Sequence, residues 1–251
     1  SIITFCRDID KMLGGGVPLG QLTEFVGIPG IGKTQIMEQI CIDVQIPVNS
    51  GGVGGRALYI DTEGSFHPHR VYSMATAMSE HLRKISNIKT KIKNSSSMSA
   101  ADIAKATNEA AALRQQRIGI ASEVTPEKLM QGIDVCRVHS QTELLAIINT
   151  LPSYFANTSS NSGSGSSNVG SDSTVSVTPL RLVVIDSIAF HFRGDLQDYQ
   201  TRTRLLTGIA NKLQDLAYKN NAATVVTNHM TTKIGNITPA AGVSHSHLNF
   251  N

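Results

Sequence analysis

The chain has few cysteines and no long apolar run. These two absences argue against a disulfide-rich protein and against a membrane-spanning protein. Its three cysteines, Cys6, Cys41 and Cys136, are widely spaced and lack the Cys-x-x-Cys pattern. An odd, scattered set of this kind fits a reducing compartment and argues against a disulfide framework or a zinc site. No apolar stretch reaches the roughly 18 residues of a membrane span. The first residues, Ser1–Thr4, also lack the basic and apolar regions of a signal peptide.

Charge of one sign is equally scarce. Twenty-two Lys and Arg residues face 19 Asp and Glu residues, which leaves a formal charge of +3. This balance permits nucleic-acid binding but does not argue for it, so any contact with DNA has to come from local basic loops. The length of 251 residues suffices for one large α/β domain, and a hydrophobic content of 40% is typical of a soluble protein.

What the sequence does contain is an alternation of short apolar runs and helical patterns. The runs that predict strands are Leu22–Val26, Ala57–Ile60, Val135–Val138, Leu182–Ile185 and Thr224–Val226. Apolar residues at helical spacing predict helices after Thr34 and over Val71–Ile85, Gln141–Leu151 and Leu205–Ala217. Apolar strands separated by helices predict an α/β fold whose mainly parallel central sheet is flanked by helices. In such a fold the ligand crevice lies at the carboxyl ends of the strands.

Two polar segments interrupt this alternation. Residues 87–132 contain an Ala- and Gln-rich helical pattern, about Ser99–Arg117, and predict a helical excursion on the surface. Residues 157–178 are almost all Ser, Gly, Asn and Thr. Because this composition buries too little apolar surface to offset the entropy of ordering, we expect a flexible insertion directly before the Leu182–Ile185 strand.

A glycine-rich motif follows the first predicted strand. Residues 27–34 match the pattern G-x-x-x-x-G-K-[ST], with an apolar strand before them and an amphipathic helix after them. Such a loop directs backbone N–H groups and a helix N-terminus at phosphate oxygens. We expect Lys33 to reach the β- and γ-phosphates of ATP and the Thr34 hydroxyl to bind Mg²⁺. The predicted nucleotide-binding residues here are Gly27, Ile28, Pro29, Gly30, Ile31, Gly32, Lys33, Thr34 and Gln35.

Two acidic residues complete the predicted chemistry. Asp186 ends the buried Leu182–Ile185 run, a Walker B pattern in which the carboxylate holds Mg²⁺; the alternative is an Asp that caps the following turn. Many P-loop ATPases carry a Glu at the next position, but Ser187 stands there. Glu63 is therefore the predicted catalytic base, since it follows another strand and faces the same crevice. Its alternatives are a helix cap or an ion pair.

These segments, in this order, resemble the RecA superfamily of strand-exchange ATPases, and most of all its eukaryotic recombinase branch. The shared motifs are Gly27–Thr34, Ile60–Phe66, Val184–Ser187 and Val226–Asn228. The segments that look most like the C-type paralogue of that branch are Cys6, Leu13–Leu19, Asp43–Pro47, Ala189-Phe190, Phe192-Arg193 and Asn228–Lys233. The resemblance implies a RecA-type P-loop ATPase core over residues 1–242, outside the two polar segments.

The resemblance also implies roles for basic residues. Arg70 matches an arginine that packs on the adenine, although a solvated arginine at a helix start is the alternative. Segments at about Arg193–Thr201 and Thr231–Gly242 match DNA-binding loops that have few aromatic residues here. The cations available for phosphate contacts are Arg193, Arg202, Arg204 and Lys233. The alternative for them is ion pairing with Asp195 or Asp198 on a solvated surface.

The sequence departs from the family pattern at several places. His229 stands where the family usually has a glutamine that senses the γ-phosphate; an imidazole can donate a hydrogen bond to phosphate, but its charge depends on pH. The family's small N-terminal helical domain and its linker have no counterpart among these residues. Residues 243–251 do not follow the family, so we expect an atypical or truncated tail.

The resemblance implies a DNA-dependent ATPase, with ATP and Mg²⁺ as cofactors, acting in homologous recombination and double-strand break repair. Its implied partners are other recombinase paralogues or like subunits and single-stranded or branched DNA, in the nucleus and also the cytoplasm. Hydrolysis by the isolated chain is expected to be slow, because a neighbouring subunit often completes such a site. The alternative is an assembly module that ATP organises with little hydrolysis. Intact Lys33, Glu63 and Asp186 favour the enzyme; His229 and the low net charge favour the module.

Overall fold

The computed structural model describes residues 1–86, 121–160, 178–192 and 199–230, with scattered positions between 109 and 119. Several predicted features lie outside these residues. They are Arg193, Lys233, most of the predicted helix over Ser99–Arg117, positions 161–177 of the insertion, the second predicted DNA-binding loop and the tail at 243–251.

A five-stranded parallel sheet forms the centre of the fold. Its strands are β1 (Leu22–Gly27), β2 (Arg56–Asp61), β3 (Ile133–Arg137), β4 (Leu180–Asp186) and β5 (Ala223–His229). They lie in the order β1-β5-β4-β2-β3, and each neighbouring pair is parallel. The predicted α/β fold is thereby confirmed.

Helices cover both faces of the sheet. The long helices are α2 (Lys33–Asp43), α3 (Pro68–Ser86), α5 (Gln141–Ser160) and α6 (Tyr199–Asn220), and the short ones are α1 (Arg7–Met12), α4 (Pro126–Gln131) and a 3-10 turn at Val48–Ser50. Leu182 and Val184 pack into the core with α2 and α3, whereas Val183 and Ile185 pack into the core with α5 and α6. This alternation explains why β4 is apolar throughout, since successive side chains face opposite layers. Among the described residues, no helix has the length and apolar character needed to span a bilayer.

Helix α5 is longer than predicted. A helix was expected to end at Leu151, before Pro152, but α5 continues to Ser160 and takes in the first four residues of the predicted insertion. Phe155 lies beyond the proline and is buried in the core. Truncating a buried Phe costs about 3–5 kcal/mol, which matches or exceeds the roughly 3 kcal/mol cost of proline inside a helix. Tertiary packing therefore overrides the local stop signal.

Two other predicted surface segments contain residues that the structure places in helices or in the core. The expected loop over Arg193–Thr201 ends as the first turn of α6, which begins at Tyr199. In the expected surface excursion at 87–132, Val124 and Leu129 are buried in the core of the α2 and α3 layer. Thr125 caps α4 by accepting a hydrogen bond from the backbone N–H of Lys128. The end of the excursion thus belongs to the packed domain.

The strand register brings the predicted chemistry to one edge. Gly27 at the end of β1 pairs with His229 at the end of β5. Asp61 at the end of β2 pairs with Asp186 at the end of β4. The carboxyl ends of these four strands therefore line a single crevice, as expected for an open α/β sheet.

One buried acid in α2 lies outside this crevice. Asp43 is 2% exposed, its Oδ1 accepts a hydrogen bond of 2.7 Å from Gln39, and its Oδ2 has no hydrogen-bond partner. Burial raises the pKa of Asp43 to about 8, although the hydrogen bond from Gln39 acts in the opposite direction. The folded domain therefore favours the neutral acid at this position.

We expect the free energy of unfolding of the wild type to fall, relative to Asp43→Asn, as the pH rises from about 4 to about 8. The folded state keeps a proton that the unfolded chain, with an Asp pKa of about 3.9, has already lost. Urea unfolding at about pH 5 and about pH 8 measures this difference. Asp215→Asn, at an exposed position on α6, reports the effect of losing a surface carboxylate. Parallel stability curves for the wild type and Asp43→Asn would rule out a buried proton at Asp43.

Candidate nucleotide-binding site

The loop between β1 and α2 has the backbone shape of a phosphate cradle. Gly30 and Gly32 have φ angles of 79° and 101°. A Cβ at either position would meet nothing within 4 Å, so backbone conformation, not space, requires glycine there. Gly32 is the N-cap of α2 and offers no side chain to its first N–H groups. These donors are free to bind an anion at the positive end of the helix.

Lys33 lies beneath this loop and is 8% exposed. Its Nζ donates to the carbonyl oxygens of Gly27 at 2.9 Å and Ile28 at 3.0 Å. The same nitrogen lies 3.3 Å from Nδ1 of His229. The structure therefore brings together the predicted phosphate lysine and the residue at the glutamine position of the family. Ile28 and Ile31 of the loop are exposed.

Asp186 joins three elements through its carboxylate and is 2% exposed. Its Oδ2 accepts hydrogen bonds from the hydroxyls of Thr34 at 2.7 Å, Tyr59 at 2.7 Å and Ser65 at 3.4 Å. Its Oδ1 accepts from the Thr227 hydroxyl. Burial, strengthened by the neighbouring Asp186 carboxylate, raises the pKa of Tyr59 well above its usual range, so Tyr59 remains a donor.

The oxygen atoms of Thr34 and Asp186 fit a hard divalent cation such as Mg²⁺. Across the described part of the chain, no group of three or more His, Cys, Asp or Glu residues forms a metal cage. A cation bound by Thr34 and Asp186 would therefore take its remaining ligands from water and phosphate, which is the usual habit of Mg²⁺.

Glu63 faces the same crevice from the loop after β2. Its Oε1 accepts hydrogen bonds from the Ser187 hydroxyl at 2.6 Å and from Nε2 of His229 at 2.7 Å. The adjacent Thr62 fastens the loop to the end of β4, because its N–H donates to the Asp186 carbonyl and its hydroxyl to the Ser187 carbonyl, both at 2.9 Å. Ser187, which stands where many P-loop ATPases have a glutamate, thus helps to hold Glu63 through a hydrogen bond.

Asp61 organises the loop that carries Glu63, and the sequence reasoning missed this residue. Its carboxylate accepts the backbone N–H groups of Glu63–Phe66 at 2.7 to 3.3 Å. Arg137 at the end of β3 pairs with the same carboxylate at 3.0 Å. An Asp followed by Thr-Glu-Gly after a strand is a pattern for such a side-chain-capped turn. The pairing with Arg137, 76 residues away, leaves no local signal.

Arg70 lies near the first turn of α2. Its guanidinium donates to the side-chain carbonyl of Gln35, whose amide donates to Glu38 at 3.2 Å. The other oxygen of Glu38 accepts the backbone N–H of His67 at 3.0 Å. Burial raises the pKa of Glu38, while its hydrogen bond with the His67 backbone lowers it. Arg70 is exposed and lies beside α2. Its contact with adenine stays a prediction.

The predicted DNA-contacting cations are only partly placed. Arg202 is half-buried and Arg204 is exposed, and both lie in the first turns of α6. They are therefore helical residues in the structure. The other two, Arg193 and Lys233, fall outside the described residues.

Comparison with known proteins shows which family this chain resembles. Residues 1–111 match the Rad51 family model. Over these residues the chain is similar to the Rad51 family. The family is one of ATPases that bind ATP with a metal ion, and its proteins act in DNA repair and recombination.

Individual relatives agree with the family. "DNA repair protein RAD51 homolog 3" from Cricetulus griseus is 37% identical over 250 residues, which cover 98% of this chain and 57% of that protein. The protein of the same name from Dictyostelium discoideum is 33% identical, with coverage of 99% and 55%. "DNA repair and recombination protein RadA" from Metallosphaera sedula is 27% identical, with coverage of 92% and 53%. The resemblance of this chain to the C-type paralogue is confirmed. The chain spans just over half the length of these relatives.

We expect Asp61→Ala to lower the free energy of unfolding by about 2–4 kcal/mol, because the change removes the acceptor of several backbone N–H groups and the carboxylate partner of Arg137. Urea unfolding measures the loss, and amide hydrogen exchange should show faster exchange at residues 63–66. Glu80→Ala is the control, since its pair with Lys84 is exposed and 3.9 Å long. Unchanged protection of residues 63–66 in Asp61→Ala would contradict the assigned role of Asp61.

Proposed function

We propose that this chain is a Rad51 family domain that binds ATP with Mg²⁺ and hydrolyses it, and that it serves homologous recombination and double-strand break repair. The observation that carries the proposal is the convergence of Lys33, Asp186 and Glu63 at one sheet edge. Thr34 contacts Asp186 at 2.7 Å, and His229 contacts both Lys33 and Glu63. The start of α2, the end of β4 and the loop after β2 thus bring a lysine that can bind phosphate, a metal ligand and a carboxylate to one crevice.

Each residue has a distinct task in this proposal. Gly27–Thr34 bind the phosphates through backbone N–H groups, and Lys33 adds a full positive charge. Thr34 and Asp186 hold Mg²⁺, which when bound offsets the negative charge of the phosphates. Gln35 and Arg70 lie where the nucleoside end of ATP would leave the loop, and Arg70 packs on the base.

Glu63 orients the attacking water and takes its proton. Its position beyond β2 is held by the Asp61 turn and by the Ser187 hydroxyl. Both hydrogen bonds to its carboxylate from described side chains end on Oε1. The second oxygen is thus available to a water molecule. General-base assistance of this kind contributes about 10²–10⁴-fold to a rate.

The wider role rests on the relatives. They are named as DNA repair and recombination proteins. We accordingly propose single-stranded or branched DNA and other recombinase paralogues as partners, and action in the nucleus. The basic residues Arg202 and Arg204, with Arg193 and Lys233, are the proposed phosphate contacts on DNA.

We expect ATP hydrolysis by the wild type to rise with single-stranded DNA and to fall by about 10²-fold or more in Glu63→Gln. Nucleotide binding by Glu63→Gln should persist, because the substitution leaves the phosphate loop intact. Steady-state phosphate release and binding of a fluorescent ATP analogue separate the two effects. Glu80→Gln, an exposed glutamate on α3, is the matched control.

The outcomes distinguish the two candidate functions. Tight binding of Mg²⁺ and ATP with negligible turnover, unaffected by DNA, would indicate a nucleotide-organised assembly module. Turnover that survives Glu63→Gln would show that another group acts as the base.

A further inference from the structure

Asp186 ends the central strand of the sheet, and each neighbouring strand directs one hydroxyl group at its carboxylate. Strand β4 lies between β2 and β5. From β2, the Tyr59 hydroxyl donates to Oδ2 of Asp186 at 2.7 Å, and from β5 the Thr227 hydroxyl donates to Oδ1. The carboxylate is therefore held at both oxygen atoms, one from each neighbouring strand.

These two donors differ in burial from the other hydroxyl groups around Asp186. Tyr59 and Thr227 are both 0% exposed. Thr34 and Ser65, whose hydroxyls also donate to Oδ2, are only half-buried. A side chain without exposed surface makes no direct contact with a molecule in the crevice. Tyr59 and Thr227 can therefore act on such a molecule only through Asp186.

Both hydroxyl groups are held in place by contacts other than the one with Asp186. Tyr59 lies within β2 opposite Val184, and its ring belongs to the core formed with α2 and α3. The ring centroid of Tyr59 is 4.9 Å from that of Phe66, in the loop after β2. Thr227 lies within β5, where its backbone carbonyl accepts the N–H of Ile188 at 3.0 Å. Positions inside strands hold a side chain more precisely than positions on loops do.

We propose that Tyr59 and Thr227 are positioning residues that orient the Asp186 carboxylate for the metal ion. A carboxylate that can turn about its side-chain bonds is a poorly defined ligand, and hydrogen bonds from a second layer of residues remove this freedom. Two donors on different oxygen atoms fix the plane of the carboxylate, which one donor alone does not. This inference rests on the proposed Mg²⁺ and nucleotide site, and it names two residues that contribute to its metal affinity.

Two substitutions test the two hydroxyl groups separately. Tyr59→Phe and Thr227→Val each remove one hydroxyl and keep a side chain of nearly the same size. Tyr154→Phe is the matched control, because Tyr154 also donates its hydroxyl to a carboxylate, that of Asp134. Asp134 lies near the start of β3, at the edge of the parallel sheet opposite to the crevice. Urea unfolding verifies that each variant is folded under the conditions of the binding measurements.

The measurement is the binding of a fluorescent ADP analogue, first in EDTA and then as Mg²⁺ is added. We expect the Mg²⁺ concentration for half-maximal enhancement of binding to rise about tenfold in Tyr59→Phe and in Thr227→Val. Loss of a group that orients a metal ligand typically costs about 10–100-fold in metal affinity. Binding in EDTA should match that of the wild type, because the phosphate loop and Lys33 are unchanged. Tyr154→Phe should match the wild type in both conditions.

The outcomes separate a positioning role from a structural one. A structural role would weaken binding in EDTA as well, or lower the urea midpoint while the Mg²⁺ midpoint stays unchanged, and either result for a variant would overturn the role of that residue.

A double-mutant cycle tests whether Tyr59 acts through Asp186. Asp186→Asn, alone and combined with Tyr59→Phe, should need the same Mg²⁺ concentration, and a further rise in the double variant would contradict the proposal. If the wild type binds the ADP analogue equally with and without Mg²⁺, the proposed metal site itself fails. Variants that match a Mg²⁺-dependent wild type would overturn only the roles of Tyr59 and Thr227.

Discussion

The carboxylate of Asp186 is the group on which the other contacts of the site depend. It is buried at the end of the central strands of the sheet, where it accepts hydroxyl donors from the phosphate loop, from β2 and its following loop, and from β5. A buried charge is tolerated only when its lone pairs are satisfied, and here the donors are the groups that fix the site. Thr34, Tyr59, Ser65 and Thr227 are held in register by one acceptor. The same interaction positions the two oxygen atoms that suit a cation.

A second carboxylate has the corresponding role on the neighbouring strand. Asp61 lies opposite Asp186 in the register of β2 and β4. Its carboxylate, however, accepts hydrogen bonds from the backbone of its own loop and pairs with Arg137. The two carboxylates have different roles because they end different strands. Asp186 gathers side chains across strands, whereas Asp61 shapes a turn that presents Glu63. A side chain on a loop needs such support to keep one geometry, because a loop without it has many accessible conformations.

Much of the site was predictable because its chemistry lies in short contiguous segments. The phosphate loop needs glycine at Gly30 and Gly32, a lysine and a hydroxyl in sequence, and the apolar run before Asp186 indicates a buried strand end. Glu63 was predicted as the base because Ser187 stands at the position where many P-loop ATPases carry a glutamate. Arg137, Tyr59 and Thr227 carried no comparable signal, since each acts through a partner that is distant in sequence. Helix α5 likewise continues beyond Pro152, because Phe155 is buried in the core. Local helix propensity contains no information on that burial.

Sequence alone was enough to define the α/β fold and the order of strands and helices along the chain, and to predict Lys33 as the phosphate lysine, because these follow from periodicity and from contiguous motifs. The place of His229 emerged only from the folded domain. The sequence marked it as a departure at a strand end, whereas the parallel register of β1 and β5 set its ring between Lys33 and Glu63. Such contacts depend on distances of a few ångströms between separate strands. Those distances are set by sheet packing, which no local pattern encodes.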